Sequence, residues 1–164
     1  NTNDVISVTQ EVVMVAVKQF KNQQGQALAS IYRESNQGMI MNVWSGDYVA
    51  PKYIESVMDY SFDEIQRKKL RCWICDISLI EGALEKASKT ALRKFDKNLS
   101  NRFLQKFAFI SRRSSSEGRV MLEQVIQEHG VQVKTFSTFN KAIQWLLVPD
   151  IDEEIWDQAP VLTF

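Results

Sequence analysis

Cys72-Trp73-Ile74-Cys75-Asp76-Ile77 is a short apolar run that follows the basic cluster Arg67-Lys68-Lys69 and precedes the polar Ser78. A run of this length, so bounded, reads as a buried β-strand. That reading also settles its two cysteines. A CxxC pair does redox chemistry at the start of a helix, where the dipole lowers the thiol pKa. On a strand, residues three apart point to opposite faces and cannot bridge, so Cys72 and Cys75 are expected to pack as small apolar side chains. A zinc site would need further ligands, and the single His129, placed before Gly130 at a helix end, does not supply them.

Upstream of this strand, Pro51 suits the first turn of a helix, because its missing amide hydrogen costs nothing there. Ile54, Val57, Met58, Phe62 and Ile65 follow at helical spacing. Earlier still, residues 27–34 and 38–45 are strand-like and joined by Ser35-Asn36-Gln37-Gly38, which predicts a hairpin or meander. The β-branched run within residues 11–20 adds a further strand, and Asn22-Gln23-Gln24-Gly25 reads as its loop. Downstream, Leu84, Ala87, Ala91, Leu92, Phe95 and Leu99 form a helical stripe. Residues 106–111 then form a buried strand. A helix over residues 114–128 opens on the pair Ser114 and Glu117, spaced as a capping box, and stops at Gly130. A strand over residues 131–136 and a helix capped by Thr138, with Phe139, Ala142, Ile143 and Leu146 inward and Pro149 beyond, complete the pattern.

Strands that alternate with helices pair in parallel through right-handed crossovers. The expected class is therefore α/β: an N-terminal β-hairpin or meander followed by alternating helix–strand units, with helices on a mixed sheet of four to six strands. The expected organisation is an extension with an extra strand over residues 1–26, the α/β domain over 27–147 and an acidic tail over 148–164.

At 164 residues and 45% hydrophobic content, the chain can fill one core without disulfide or metal support. Twenty basic and twenty acidic side chains cancel, so no global field draws the protein onto nucleic acid. The longest apolar run, residues 12–17, is far short of the roughly 20 residues a spanning helix needs. With Asp4 where a signal peptide would carry a basic start, a cytoplasmic location is expected. Charge is nevertheless uneven: residues 81–119 hold ten basic against four acidic side chains, whereas residues 150–157 hold five acids and no base. One expectation is that this tail, anchored by Ile151, Ile155 and Trp156, docks on a basic helical face of its own or a second copy. The other is a solvated charged face and a loose tail.

In open α/β sheets ligands gather beyond the carboxyl ends of the parallel strands. That rule selects Asp76 and Ser78, then Ser111, Arg112, Arg113 and Ser114, then Ser137 and Thr138. Arg112 and Arg113 before Ser114-Ser115-Ser116 combine positive charge, hydroxyls and free amides, a set suited to a phosphate or carboxylate; helix capping alone also accounts for Ser114 and Glu117. Gly-rich phosphate loops are missing. His129 sits at the far end of its helix from any candidate nucleophile, so no triad assembles. Asp76 and Glu81 are near neighbours that could do acid and base work; the simpler reading has Asp76 ending a strand and Glu81 sitting by a helix start.

Trp44-Ser45-Gly46, Trp73-Ile74-Cys75-Asp76, Phe107-Ala108-Phe109-Ile110 and Phe139-Asn140-Lys141-Ala142-Ile143-Gln144-Trp145-Leu146 together resemble the bacterial STAS-like proteins over residues 27–147. In that pattern a hairpin ends in Trp-x-Gly, an apolar strand ends in Asp, and a closing helix carries Ala-x-x-Trp-Leu. The resemblance implies a STAS-like fold. Its relatives, the anti-sigma-factor antagonists, work by protein contact and switch by phosphorylation of a serine at the helix start after the Asp-ending strand. This chain departs there: Leu79-Ile80-Glu81-Gly82-Ala83 follows Asp76-Ile77-Ser78, without an Asp-Ser pair. The resemblance implies a non-enzymatic regulatory or protein-interaction module without a cofactor and with an unidentified protein partner; its expected contact surface is Asp76, Ser78, Glu81, Arg112, Arg113 and Ser114 at the strand carboxyl ends, and the N-terminal strand, as an exposed edge, could pair with a second copy. The alternative is a sensor of a small anionic or lipid-like ligand at the strand carboxyl ends, and a closed apolar pocket beneath those loops separates the two.

Overall fold

A computed structural model describes residues 12–45, 50–80, 84–99, 103–113 and 116–148. Its strands are β1 (Val15–Lys21), β2 (Ala27–Glu34), β3 (Met39–Trp44), β4 (Cys72–Asp76), β5 (Lys106–Ile110) and β6 (Gln132–Phe136). The helices described are α1 (Pro51–Lys68), α2 (Leu84–Asn98), α3 (Glu117–Glu128) and α4 (Phe139–Leu147). The strands form one six-stranded mixed sheet whose spatial order is the chain order, β1 through β6. β1, β2 and β3 pair antiparallel, and β3, β4, β5 and β6 pair in parallel.

Local chemistry makes the two tight turns. Asn22 Oδ1 accepts from the amides of Gln24 and Gln26, and Gly25 takes φ +82°. Between β2 and β3 the Glu34 carboxylate accepts from the amides of Asn36 and Gln37. Gly38 follows at φ +75°, and its carbonyl accepts from the amides of Arg71 and Cys72, which ties the hairpin to the start of β4.

Because β3 to β6 advance across the sheet without reversing, right-handed crossovers place α1, α2 and α3 on one face. Side-chain alternation confirms the arrangement. Ile40, Trp73, Cys75, Phe107 and Phe109 share a core with Ile54, Val57, Met58, Phe62 and Ile65 of α1, Ala91 and Phe95 of α2, and Leu122 and Ile126 of α3. Met39, Met41, Cys72, Ile74, Ala108 and Ile110 point the other way and pack with Ala142, Ile143 and Leu146 of α4. Cys72 and Cys75 thus lie on opposite faces as free thiols. An aromatic cluster anchors the first core: the Trp73 ring centroid lies 5.1 Å from that of Phe62, 5.5 Å from Phe95 and 5.1 Å from Phe107.

One expected boundary is corrected. The helix expected from residue 114 begins at Glu117, and Ser116, not Ser114, is the N-cap, its hydroxyl accepting from the amide of Arg119. Each of three consecutive serines can cap, and although the capping box favours Ser114, tertiary contact selects Ser116. Ser116 puts Arg119 in the first turn, where its side chain is 3% exposed and donates to Ser111 Oγ (2.8 Å), the Arg113 carbonyl (2.9 Å) and Glu123 Oε1 (3.1 Å). Lys106 is likewise inside, 2% exposed, with Nζ donating to the carbonyls of Val148 (2.7 Å) and Trp145 (3.2 Å) at the end of α4. Two of the ten cations counted over residues 81–119 are therefore structural; the acidic tail lies outside the described residues.

Candidate functional site

The loops leaving β4 and β5 rise side by side, since Asp76 pairs with Ile110 at the end of the parallel ladder and the Ile77 amide donates to the Ile110 carbonyl. Asp76 Oδ1 accepts from both the amide (3.0 Å) and the hydroxyl (2.6 Å) of Ser78, so the carboxylate closes its own turn. On the neighbouring loop Ser111 Oγ accepts from the Arg113 amide and from Arg119. The Arg112 and Arg113 residues themselves are exposed, and neither side chain forms an ion pair among the described residues. Asp76 and Ser78 are thus brought together; no hydrogen bond or ion pair joins them to Arg112 or Arg113. Glu81 and Ser114 lie outside the described residues. Ser137 is exposed, and Thr138 caps α4 by accepting from the Lys141 amide.

Beneath these loops, between the sheet and the helices of its covered face, lies a cavity. Its walls come from the ends of β3 and β4 (Trp44, Trp73, Cys75), the turn after β4 (Ile77, Ile80), α1 (Ile54, Met58), α2 (Ala87, Ala91, Phe95), Phe109 of β5 and Leu122 of α3. Counted out to its mouth, the empty space is about 580 Å³, and within it the room for the centres of water molecules is about 40 Å³. That interior exceeds the roughly 10–15 Å³ at which a water fits.

A buried water also needs two or more polar partners, and the polar groups among the lining side chains are the Asn42 amide, the Trp44 and Trp73 indole N–H groups and the Cys75 thiol. The Asn42 amide is already committed: Oδ1 accepts from Trp73 Nε1 at 2.5 Å, and Nδ2 donates to Ser61 Oγ at 2.9 Å. Ser61 Oγ in turn donates to the Val57 carbonyl at 2.8 Å. Burial pushes the Cys75 thiol up to about 12, so it faces the cavity in the neutral, weakly nucleophilic form. Such a space suits an apolar guest, because the polar groups of its wall are committed to one another and to Ser61.

The site residues expected from the sequence lie on the loops at the carboxyl end of the sheet, and of these Asp76, Ser78, Arg112 and Arg113 are not among the residues that line the cavity. The ligand crevice of doubly wound sheets forms where the strand order reverses. Here the order never reverses, and the space opens under the helices instead. The usable signal was the small pair Ala87 and Ala91 on the inner stripe of α2 facing the aromatic run of β4 and β5; small residues against large ones leave room.

Among the described residues, no group of three His, Cys, Asp or Glu side chains could hold a metal ion, and no helix is long and apolar enough to cross a membrane. Comparison with protein-family models, curated proteins and solved structures finds no match to this chain.

Proposed function

We propose that this chain is a non-enzymatic, STAS-like regulatory module that senses a small apolar or lipid-like molecule held at the carboxyl end of its sheet. The observation that carries this reading is the largely apolar cavity under the β4 and β5 loops, whose Asn42 amide is spent on Trp73 and Ser61. Apolar pockets with few polar groups are the usual form of small-ligand sites. The Asp76–Ser78 turn and α2 contribute walls of the same space, so a guest that fills it bears on the loops that a partner would contact.

The test is a thermal-shift and Trp-fluorescence titration with benzene, short aliphatic alcohols and fatty acids of increasing length. A guest at about 100 times its dissociation constant adds roughly 2.7 kcal/mol of stability. The substitution Ala91→Leu, which projects a larger side chain into the cavity, should abolish that gain while the protein still melts cooperatively. A panel that leaves the melting temperature unmoved would refute the ligand reading. A silent panel with a specific protein caught on the Asp76 and Arg112 loops would favour the protein-interaction module implied by the resemblance.

A further inference from the structure

We infer that the rim around the cavity is a docking surface for an anionic lipid bilayer, which rests on the ligand reading above and names where the ligand is collected. The rim is built from neighbouring loops at the carboxyl end of the sheet, after the interior strands β4 and β5. Leu79 stands in the turn three residues beyond Asp76, and Arg112 and Arg113 stand two and three beyond Ile110, its parallel partner. The first turn of α3 is tied to the same loop, because Arg119 donates to the Arg113 carbonyl and to Ser111 Oγ. Val120 closes that turn and Met121 follows it.

Large apolar side chains exposed singly need no explanation. Here three of them belong to the loops and helix start just described: Leu79 is 57%, Met121 42% and Val120 38% exposed. The same β5 loop carries two exposed arginines that form no ion pair among the described residues, with Glu117 as the acid of the α3 first turn. Apolar side chains that can enter the acyl boundary, interleaved with cations that meet lipid phosphates, are the pattern of interfacial binding. The cavity adds a reason for the bilayer to be the partner. A molecule suited to a space lined by Trp44, Ile54, Ile77, Ile80 and Phe109 partitions into membranes rather than water, and Trp44, Ile77, Ile80 and Phe109 stand at the carboxyl ends of β3, β4 and β5, where the rim loops begin.

The experiment is co-sedimentation of the full chain with phosphatidylcholine vesicles, with and without phosphatidylserine. Binding is expected to anionic vesicles and to weaken with salt. At about 1 kcal/mol per arginine near the surface, the double variant Arg112→Ala/Arg113→Ala should bind about thirtyfold more weakly. Leu79→Asp/Met121→Asp should abolish binding, and unchanged melting of both variants shows that the fold is intact. Rim variants should keep binding small apolar guests from water, whereas Ala91→Leu should keep binding vesicles and lose the guests, so the two readings fail separately. Equal sedimentation with neutral and anionic vesicles, no sedimentation with either, or anionic binding indifferent to both double variants overturns the proposal.

Discussion

Asn42 is 1% exposed and ties β3, its own strand, to two other elements through its side-chain amide: β4 by accepting from Trp73 and α1 by donating to Ser61. Replacing it with alanine leaves the Trp73 indole N–H facing an apolar cavity with nothing to accept it. An orphaned buried donor costs about 1–3 kcal/mol. Ser61 keeps its bond to the Val57 carbonyl, so its hydroxyl adds little. Truncation beside an existing void adds a cavity penalty of about 1 kcal/mol. Asn42→Ala should therefore destabilise by about 2–4 kcal/mol, a large share of the 5–15 kcal/mol typical of a domain. Urea unfolding followed by Trp fluorescence reads both the midpoint and the environment of Trp73. The double-mutant cycle with Trp73→Phe isolates the bond itself. Once the indole N–H is gone, removing Asn42 should cost at least about 1 kcal/mol less than it does in the native background. A coupling near zero, or an Asn42→Ala cost below about 0.5 kcal/mol, would show that the amide is not committed to the fold. It would then be free to bind a guest, contrary to the description of the cavity as largely apolar.

The other predictions concern the thiols, the turns and the helix cap. Cys75 should resist iodoacetamide at pH 8 in the native protein and react on unfolding, because its thiol ionises near 12 when folded against an ordinary value of 9.0. The native state then holds its proton longer than the unfolded chain does. The stability due to this group is present below pH 9 and falls by up to about 1.4 kcal/mol per pH unit between 9 and 12; denaturation curves of Cys75→Ala should lack that component. Gly25→Ala and Gly38→Ala should each cost about 1–2 kcal/mol. A new Cβ meets nothing within 4 Å at Gly25, and its nearest contact at Gly38 is 3.5 Å, so the left-handed backbone and not crowding sets the penalty; a Gly38→Ala loss much above this range would point to a clash with Arg71. Ser116→Ala should cost about 1 kcal/mol in thermal melting, while Ser114→Ala should cost close to nothing, and the reverse result would restore the cap expected at Ser114.

The sheet was legible because each strand has its own signature. A six-residue run such as 72–77 is too short for a core helix, and Pro51 and Thr138 mark helix starts through chemistry that acts over one turn. What stayed hidden depends on contacts between residues far apart in sequence. Arg119 and Lys106 read as two more surface cations until the structure places one under the Ser111 turn and the other against the end of α4. Local chemistry favoured Ser114, whose capping-box partner would be Glu117, and the buried contacts of Arg119 set the cap at Ser116 instead. The cavity is a deficit of volume shared among the sheet and three helices, and no local pattern of residues encodes a deficit directly.

The unbroken correspondence between strand order and chain order bears on how the protein is made. A chain leaving the ribosome presents β1, then β2, then β3, and each later strand finds its partner already synthesised, one crossover behind it. No strand has to wait for a distant segment or be threaded between two others. Growth by accretion at a single moving edge should let nascent chains halted after β4 or β5 hold a protease-resistant hairpin, and each added helix–strand unit should extend the protected length by one step.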